Sequence, residues 1–158
     1  MVRSEDMSER MRFFEEVAEK YKKYDDETIL PRRGTPGSAG HDFRVKEDVI
    51  LYPGDYKLVF TDVKAFFPED EVLKLYMRSS APVGLILKNI VPIIDSDYYG
   101  NQKTGGNIGL SFMNIGNKTI LIPKGERIVQ GIFVPYYITN DDNPVNNERL
   151  GGFGSTGK

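Results

Sequence analysis

Apolar positions along the chain fall into two regimes. Between Ser8 and Lys23 they recur at steps of three and four, at Met11, Phe14, Val17, Ala18 and Tyr21, with charged residues between them. Ser8 is placed to cap the first turn, with Met11 standing where a capping box has its acid. This spacing predicts an amphipathic helix over about 8–23, packed on the domain or on a neighbouring subunit. Further along, the pattern shortens. Val49-Ile50-Leu51, Lys57 to Phe67, Val72 to Met77, Leu85-Ile86-Leu87, Ile108 to Phe112, Thr119 to Ile122 and Arg127 to Val134 are short runs rich in β-branched or aromatic residues. Pro53-Gly54, Pro68, Pro82, Gly105-Gly106, Gly116-Asn117 and Pro123-Lys124-Gly125 punctuate them. Short strands at this density predict an all-β barrel or jelly roll, and the crossover helices that a parallel sheet requires are missing.

Composition narrows the chemistry. The 158 residues make one domain that can bury about two-thirds of its unfolded surface in a single core. With no cysteine and one histidine, His41, neither a disulfide framework nor a thiolate or histidine zinc site can form. A hard cation held by oxygens is the remaining metal option. The formal net charge of −2 argues against non-specific binding to nucleic acid. No apolar run approaches the length of a membrane span and the first residues lack a signal-peptide core, so a cytoplasmic protein is expected, or one of the host cytoplasm if the source is viral or phage.

The stretch Gly151-Gly152-Phe153-Gly154-Ser155-Thr156-Gly157-Lys158 contains both G-x-G-x-x-G and G-x-x-x-x-G-K spacings. Both patterns need a strand before and a helix after, and no residues follow Lys158 here to make that helix. A mobile arm over 146–158 is expected instead, its backbone N–H groups, two hydroxyls and one aromatic ring suited to closing over an anionic, planar-ringed ligand. Arg149 stands just upstream as a phosphate fork. The competing reading is a frayed terminus.

Three polar clusters punctuate the strands. Asp95-Ser96-Asp97-Tyr98-Tyr99-Gly100 follows an apolar run, which puts the Asp95 carboxylate at a strand end; it can face a cleft or close an Asx turn. Arg78-Ser79-Ser80 offers a planar cation beside two hydroxyls, or a plain surface turn. Arg127 and Gln130 follow the Lys124-Gly125 turn and fit either a site or a solvated salt bridge.

In this order, the segments resemble the five motifs of the trimeric dUTPase family, the dUTP nucleotidohydrolases. The five are Gly37-Ser38-Ala39-Gly40-His41-Asp42-Phe43, Arg78-Ser79-Ser80, Ile93 to Gly100, Gly125 to Gln130, and the glycine-rich stretch with Arg149 before it. The resemblance spans about Leu30 to Lys158. It implies a dUTPase-like jelly roll, a distorted β-barrel over 30–145 with 1–29 as an extension. It further implies a homotrimer with active sites shared between subunits, and hydrolysis of dUTP to dUMP and pyrophosphate with Mg²⁺. That reaction limits uracil incorporation into DNA and supplies dUMP for thymidylate synthesis.

Residue by residue, the resemblance makes Asp95 the carboxylate that activates water for attack on the α-phosphorus and Tyr98 the aromatic under the deoxyribose. Asn89 and Ile90, with Ile94 in the motif behind them, belong to the hairpin that reads uracil. Arg78, Ser79, Ser80 and Gln130 match phosphate-contacting positions. Arg149, Gly154, Ser155 and Thr156 are expected at the phosphates while Phe153 stacks over the base. Asp42 is assigned to a metal-bound water or to a polar support network, and Mg²⁺ is expected to be held mainly by the substrate phosphates. Pro92 stands where the third motif usually has glycine, Leu150 interrupts the fifth, and Asn101 to Asn107 looks like an inserted surface loop. The alternatives are a dCTP deaminase of the same fold, which would need a glutamate at the position of Ser111, three before Asn114, or a nucleotide-gated protein that binds a regulatory partner.

Overall fold

Strand alternation governs the N-terminal segment in place of the helical repeat. The protein's structure, a computed structural model, describes residues 10–146 and 149. In it β1 (Phe13–Glu16) pairs antiparallel with β6 (Val63–Phe66), placing Phe13 opposite Phe66. The helix predicted over 8–23 is absent; its start at Ser8 lies outside the described residues, and only a short 3₁₀ turn, Glu19–Tyr21, follows β1. The reason is that two adjacent phenylalanines are both used. Phe13 stacks on Phe66 at 5.0 Å, while Phe14 packs from the other face against His41, Phe43 and Phe133 at 5.3–5.5 Å. A helix would turn those two rings only about 100° apart, whereas a strand sends them to opposite faces. Met11, expected on the buried face, is 56% exposed. Arg10 and Arg12 tie the entry to this strand, both pairing with the buried Glu71 carboxylate.

The remaining strands are β2 (Arg32–Arg33), β3 (His41–Arg44), β4 (Val49–Leu51), β5 (Tyr56–Phe60), β7 (Glu71–Met77), β8 (Leu85–Leu87), β9 (Ile93–Asp95), β10 (Gly109–Asn114), β11 (Ile120–Ile122) and β12 (Arg127–Pro135). Most of them match expected runs, but β2 and β3 were not among those runs, and the run Lys57 to Phe67 is broken into two strands at Asp62, which sits at φ +59°. Every pairing among the described residues is antiparallel. A five-stranded sheet runs β2-β3-β12-β7-β9, a three-stranded one β5-β10-β8, and β1-β6 and β4-β11 form two ribbons. This all-β architecture is consistent with a jelly roll. The core between the sheets takes alternate residues of each strand: Phe43 and Val45, Val49 and Leu51, Leu73 and Leu75, Leu110 and Phe112 are all essentially sealed from solvent. Each such side chain contributes about 1.5–3 kcal/mol on burial. No helix among the described residues is long and apolar enough to cross a membrane.

The segment expected to be a surface loop, Asn101 to Asn107, is largely interior, with both asparagines buried. Its polar side chains fold it onto itself. Asn101 Oδ1 accepts from the backbone N–H groups of Lys103 and Thr104 at 3.0 Å, and Tyr21 closes over it by donating its hydroxyl to the Gln102 carbonyl at 2.8 Å.

Candidate active site

β9 is the edge strand of the five-stranded sheet, and the chain leaves it at Asp95 straight into a 3₁₀ turn, Ser96–Tyr98. Asp95 occupies the capping position of that turn yet its side chain makes no capping hydrogen bond. The carboxylate instead projects outward, half exposed, and is held by Arg149 Nη2. The same guanidinium donates through Nε to Asp97 Oδ1 at 2.6 Å, so one cation bridges two carboxylates. Tyr98 turns the other way, into the core. Its hydroxyl donates to the Asn107 carbonyl at 2.6 Å. Burial pushes the phenol above its ordinary pKa, against the opposing pull of the Thr104 side chain and the Arg149 charge, so the group stays a neutral donor.

A cleft of about 750 Å³ opens beside this turn. One wall is the hairpin carrying Asn89, Val91, Pro92, Ile93 and Ile94; Asp95 and Arg149 stand at the mouth, with Tyr98 beside them. The opposite wall is the outer face of the three-stranded sheet, made by Tyr56 and Leu58 of β5 and by Gly109 and Ser111 of β10. These wall residues were not among the sequence candidates. The signal for them was alternation: Val59, Leu110 and Phe112 face the core, which sends positions 56, 58, 109 and 111 outward. Lys88 sits over the Tyr56 ring at 4.5 Å and closes one side. Ile90 is brought near but not into the cleft. It adopts φ +65°, with its side chain 63% exposed, and its N–H is already given to the Leu87 carbonyl at 2.8 Å.

The phosphate candidates lie elsewhere. Arg78 follows β7, where its Nε pairs with Asp42 Oδ1 at 3.1 Å and its Nη1 donates to the Arg127 carbonyl at 2.7 Å. Ser79 and Ser80 are exposed in the turn beyond it. Gln130 stands opposite Asp42 across β12 and β3, its side chain lying against Gly40. Thus Asp42, Arg78, Arg127 and Gln130 form one cluster, with Asp42 serving as the anionic partner of two arginines. Asp95, however, pairs with Val72 at the other end of β7. Six residues of strand separate Val72 from Arg78, about 20 Å, beyond the reach of any side chain. Within one chain the candidates therefore form two half-sites. Phe153, Gly154, Ser155 and Thr156 lie outside the described residues.

Among the described residues no three carboxylates or histidines converge as a metal cage. Asp42 and the Asp95–Asp97 pair are each engaged by arginine, a donor set that fits an ion arriving with an anionic ligand better than a resident one.

A family model described as dUTPase matches residues 26–157. The chain belongs to the dUTPase family. The deoxyuridine 5′-triphosphate nucleotidohydrolase of Lactococcus lactis is 43% identical over 145 residues, spanning 90% of this chain and 95% of that protein. The enzyme of the same name from Wigglesworthia glossinidia brevipalpis is 34% identical over 147 residues, spanning 87% and 92%. The crystal structure of the Streptococcus mutans dUTPase superposes with a TM-score of 0.70 at 40% identity, covering 80% of this chain and 98% of that one. As a dUTPase-family chain, this one keeps Asp95, Tyr98 and Asn89 on a single cleft and carries its Arg78–Asp42–Gln130 cluster at the far end of the same sheet.

Proposed function

We propose that this protein hydrolyses dUTP to dUMP and pyrophosphate. The observation that carries the reading is the pairing of an uncapped, outward Asp95 carboxylate with a buried Tyr98 floor on one 3₁₀ turn beside a cleft of nucleoside size. Uracil enters between the 88–94 hairpin and the β5–β10 face, where fixed backbone groups and apolar walls leave little space for a 5-methyl group. The sugar rests on Tyr98, and a ribose is refused by shape. Asp95 orients a water in line with the departing pyrophosphate and takes its proton. In the ligand-free chain Arg149 neutralises Asp95; incoming phosphates draw the guanidinium away and leave the carboxylate free as base. A Mg²⁺ ion bound with the triphosphate supplies charge neutralisation there, with Asp42 supporting Arg78. Phe153 covers the base, and Ser155 and Thr156 hold the terminal phosphates.

The two half-sites support a shared active site. Because Arg78 and Gln130 cannot reach the cleft of their own chain, they serve the cleft of a neighbour, which favours a homotrimer. Sedimentation should then give three times the 17.9 kDa chain mass.

Pyrophosphate release from dUTP, dTTP, dCTP and UTP with Mg²⁺ tests the activity. Only dUTP should be turned over rapidly, and Asp95→Asn should lower kcat by about 10³-fold or more. Silence of the wild type on dUTP would end this reading, and ammonia release from dCTP would move it to deamination, which the serine at position 111 of the cleft wall disfavours.

A further inference from the structure

Tyr98 is held by a part of the molecule that none of the five motif segments contains. The carbonyl that receives its hydroxyl belongs to Asn107, and that residue is fixed by its own side chain. Asn107 Oδ1 accepts the Asp62 N–H at 2.9 Å, while Nδ2 donates to Asp62 Oδ1 at 2.9 Å and to the Tyr21 carbonyl at 3.2 Å. Asp62 is fully buried at φ +59°, an uncommon conformation for a residue with a side chain. Its carboxylate also accepts the N–H groups of Lys23 at 2.8 Å and Tyr24 at 3.1 Å. Gly106 closes the approach: it sits at φ +82°, and a Cβ there would lie 2.4 Å from the carbonyl of Tyr99, the neighbour of Tyr98.

A buried polar cluster of this kind is a poor filler, since apolar side chains would occupy the same space without desolvating a carboxylate. What it does supply is a single fixed geometry, in which three chain segments are locked together by hydrogen bonds around Asp62 and Asn107, the residue whose carbonyl receives the phenol. We propose that Asp62 and Asn107 are positioning residues for sugar selectivity: they fix the carbonyl that holds Tyr98 and so set the height of the floor beneath the 2′ position. The proposal rests on the reading of Tyr98 as the deoxyribose floor. A floor that drops by about 1 Å admits a hydroxyl, so the effect appears in the choice between dUTP and UTP ahead of the rate on dUTP.

The test is a double-mutant cycle on the ratio of kcat/KM for dUTP to that for UTP. Asn107→Ala should lower the ratio about tenfold while kcat on dUTP stays within about threefold. Tyr98→Phe should lower the ratio by a similar factor. The double variant should be no worse than either single one, because Asn107→Ala acts only by releasing the carbonyl that Tyr98→Phe no longer engages. An unchanged ratio in Asn107→Ala, accompanied only by a lower melting temperature, would overturn the proposal, as would two effects that multiply. If Asn107→Ala does not fold, Tyr98→Phe decides alone: a wild-type ratio there refutes it. Wild-type enzyme that turns over dUTP and UTP equally sinks the deoxyribose reading itself, whereas failure to release pyrophosphate from dUTP sinks the proposed activity.

Discussion

Gly40 offers a sharp test of how the first and fourth motif segments cooperate. A Cβ at this position would lie 2.2 Å from Gln130 Oε1, 2.9 Å from its Cβ and 3.0 Å from its Cδ. In Gly40→Ala the amide oxygen must retreat by about 1.2 Å to reach the 3.4 Å at which ordinary contact begins. A new rotamer can move the amide, but Gln130 Cβ is held by strands on both sides and lies 2.9 Å from the added methyl, so the backbone at Gly40 must also give by a few tenths of an ångström. A displacement of about 1 Å in a group that positions substrate costs on the order of 10²-fold, so kcat/KM for dUTP should fall by about that factor. Overpacking adds about 1–3 kcal/mol of destabilisation, a loss of several degrees in melting temperature. Steady-state pyrophosphate release and thermal melts of Gly40→Ala, Gln130→Ala and the double variant resolve the cause. The activity losses should overlap almost completely. Wild-type kcat/KM in Gly40→Ala, or losses that multiply in the double variant, would refute the idea that Gly40 acts by leaving room for Gln130.

Strand and helix readings of the N-terminal segment part company at two positions: Phe14→Ala should cost about 3 kcal/mol in denaturant unfolding, the lower end for a phenylalanine because it is half-buried, and Met11→Ala less than about 0.5. Equal costs would restore the helix. Arg12 foremost, then Arg10, hold the Glu71 carboxyl below its ordinary value, against the opposing pull of burial. Its contribution is therefore present above about pH 4.5 and lost as pH falls through the lower folded value. Melting temperature measured across pH 3–7 should show a steeper acid decline in wild type than in Glu71→Gln, and identical slopes would contradict this. Removing residues 151–158 should nearly abolish turnover of dUTP while leaving sedimentation and melting unchanged, and retained activity would remove the arm from the mechanism.

Much of the fold was legible because burial in the short strands alternates. Val49 and Leu51 point inward with Ile50 outward, and such a period of two is visible in the sequence alone. The N-terminal error has a physical origin: Phe14, Val17 and Tyr21 satisfy helical spacing, but Phe13 has its own partner in Phe66, which no one-dimensional pattern reveals. In place of the expected amphipathic helix the segment thus offers a strand paired to β6. Asn101 to Asn107 misled for a related reason, since its asparagines and glycines look solvent-loving until Asp62 and Tyr21 are brought against them. On the site, the motif residues were found by resemblance, whereas Tyr56, Leu58 and Gly109 were hidden because a cleft wall is a property of two strands, each ordinary by itself. Ile90 was nominated by its place in the hairpin, and its left-handed backbone turned it outward.

Strand β7 leads into Arg78 at one end and holds Asp95 of the neighbouring β9 against its other end. On the shared-site reading, a copy damaged at Asp95 remains a sound lender of Arg78, and a copy damaged at Arg78 remains a sound lender of Asp95. Two alleles, each inactive when expressed alone, would then regain some activity when co-expressed, because intact ends from different copies are dealt into the same assembly. A heterozygote or a co-infected cell would therefore display more activity than either lesion predicts, and inheritance would follow the pairing of ends instead of the count of healthy chains.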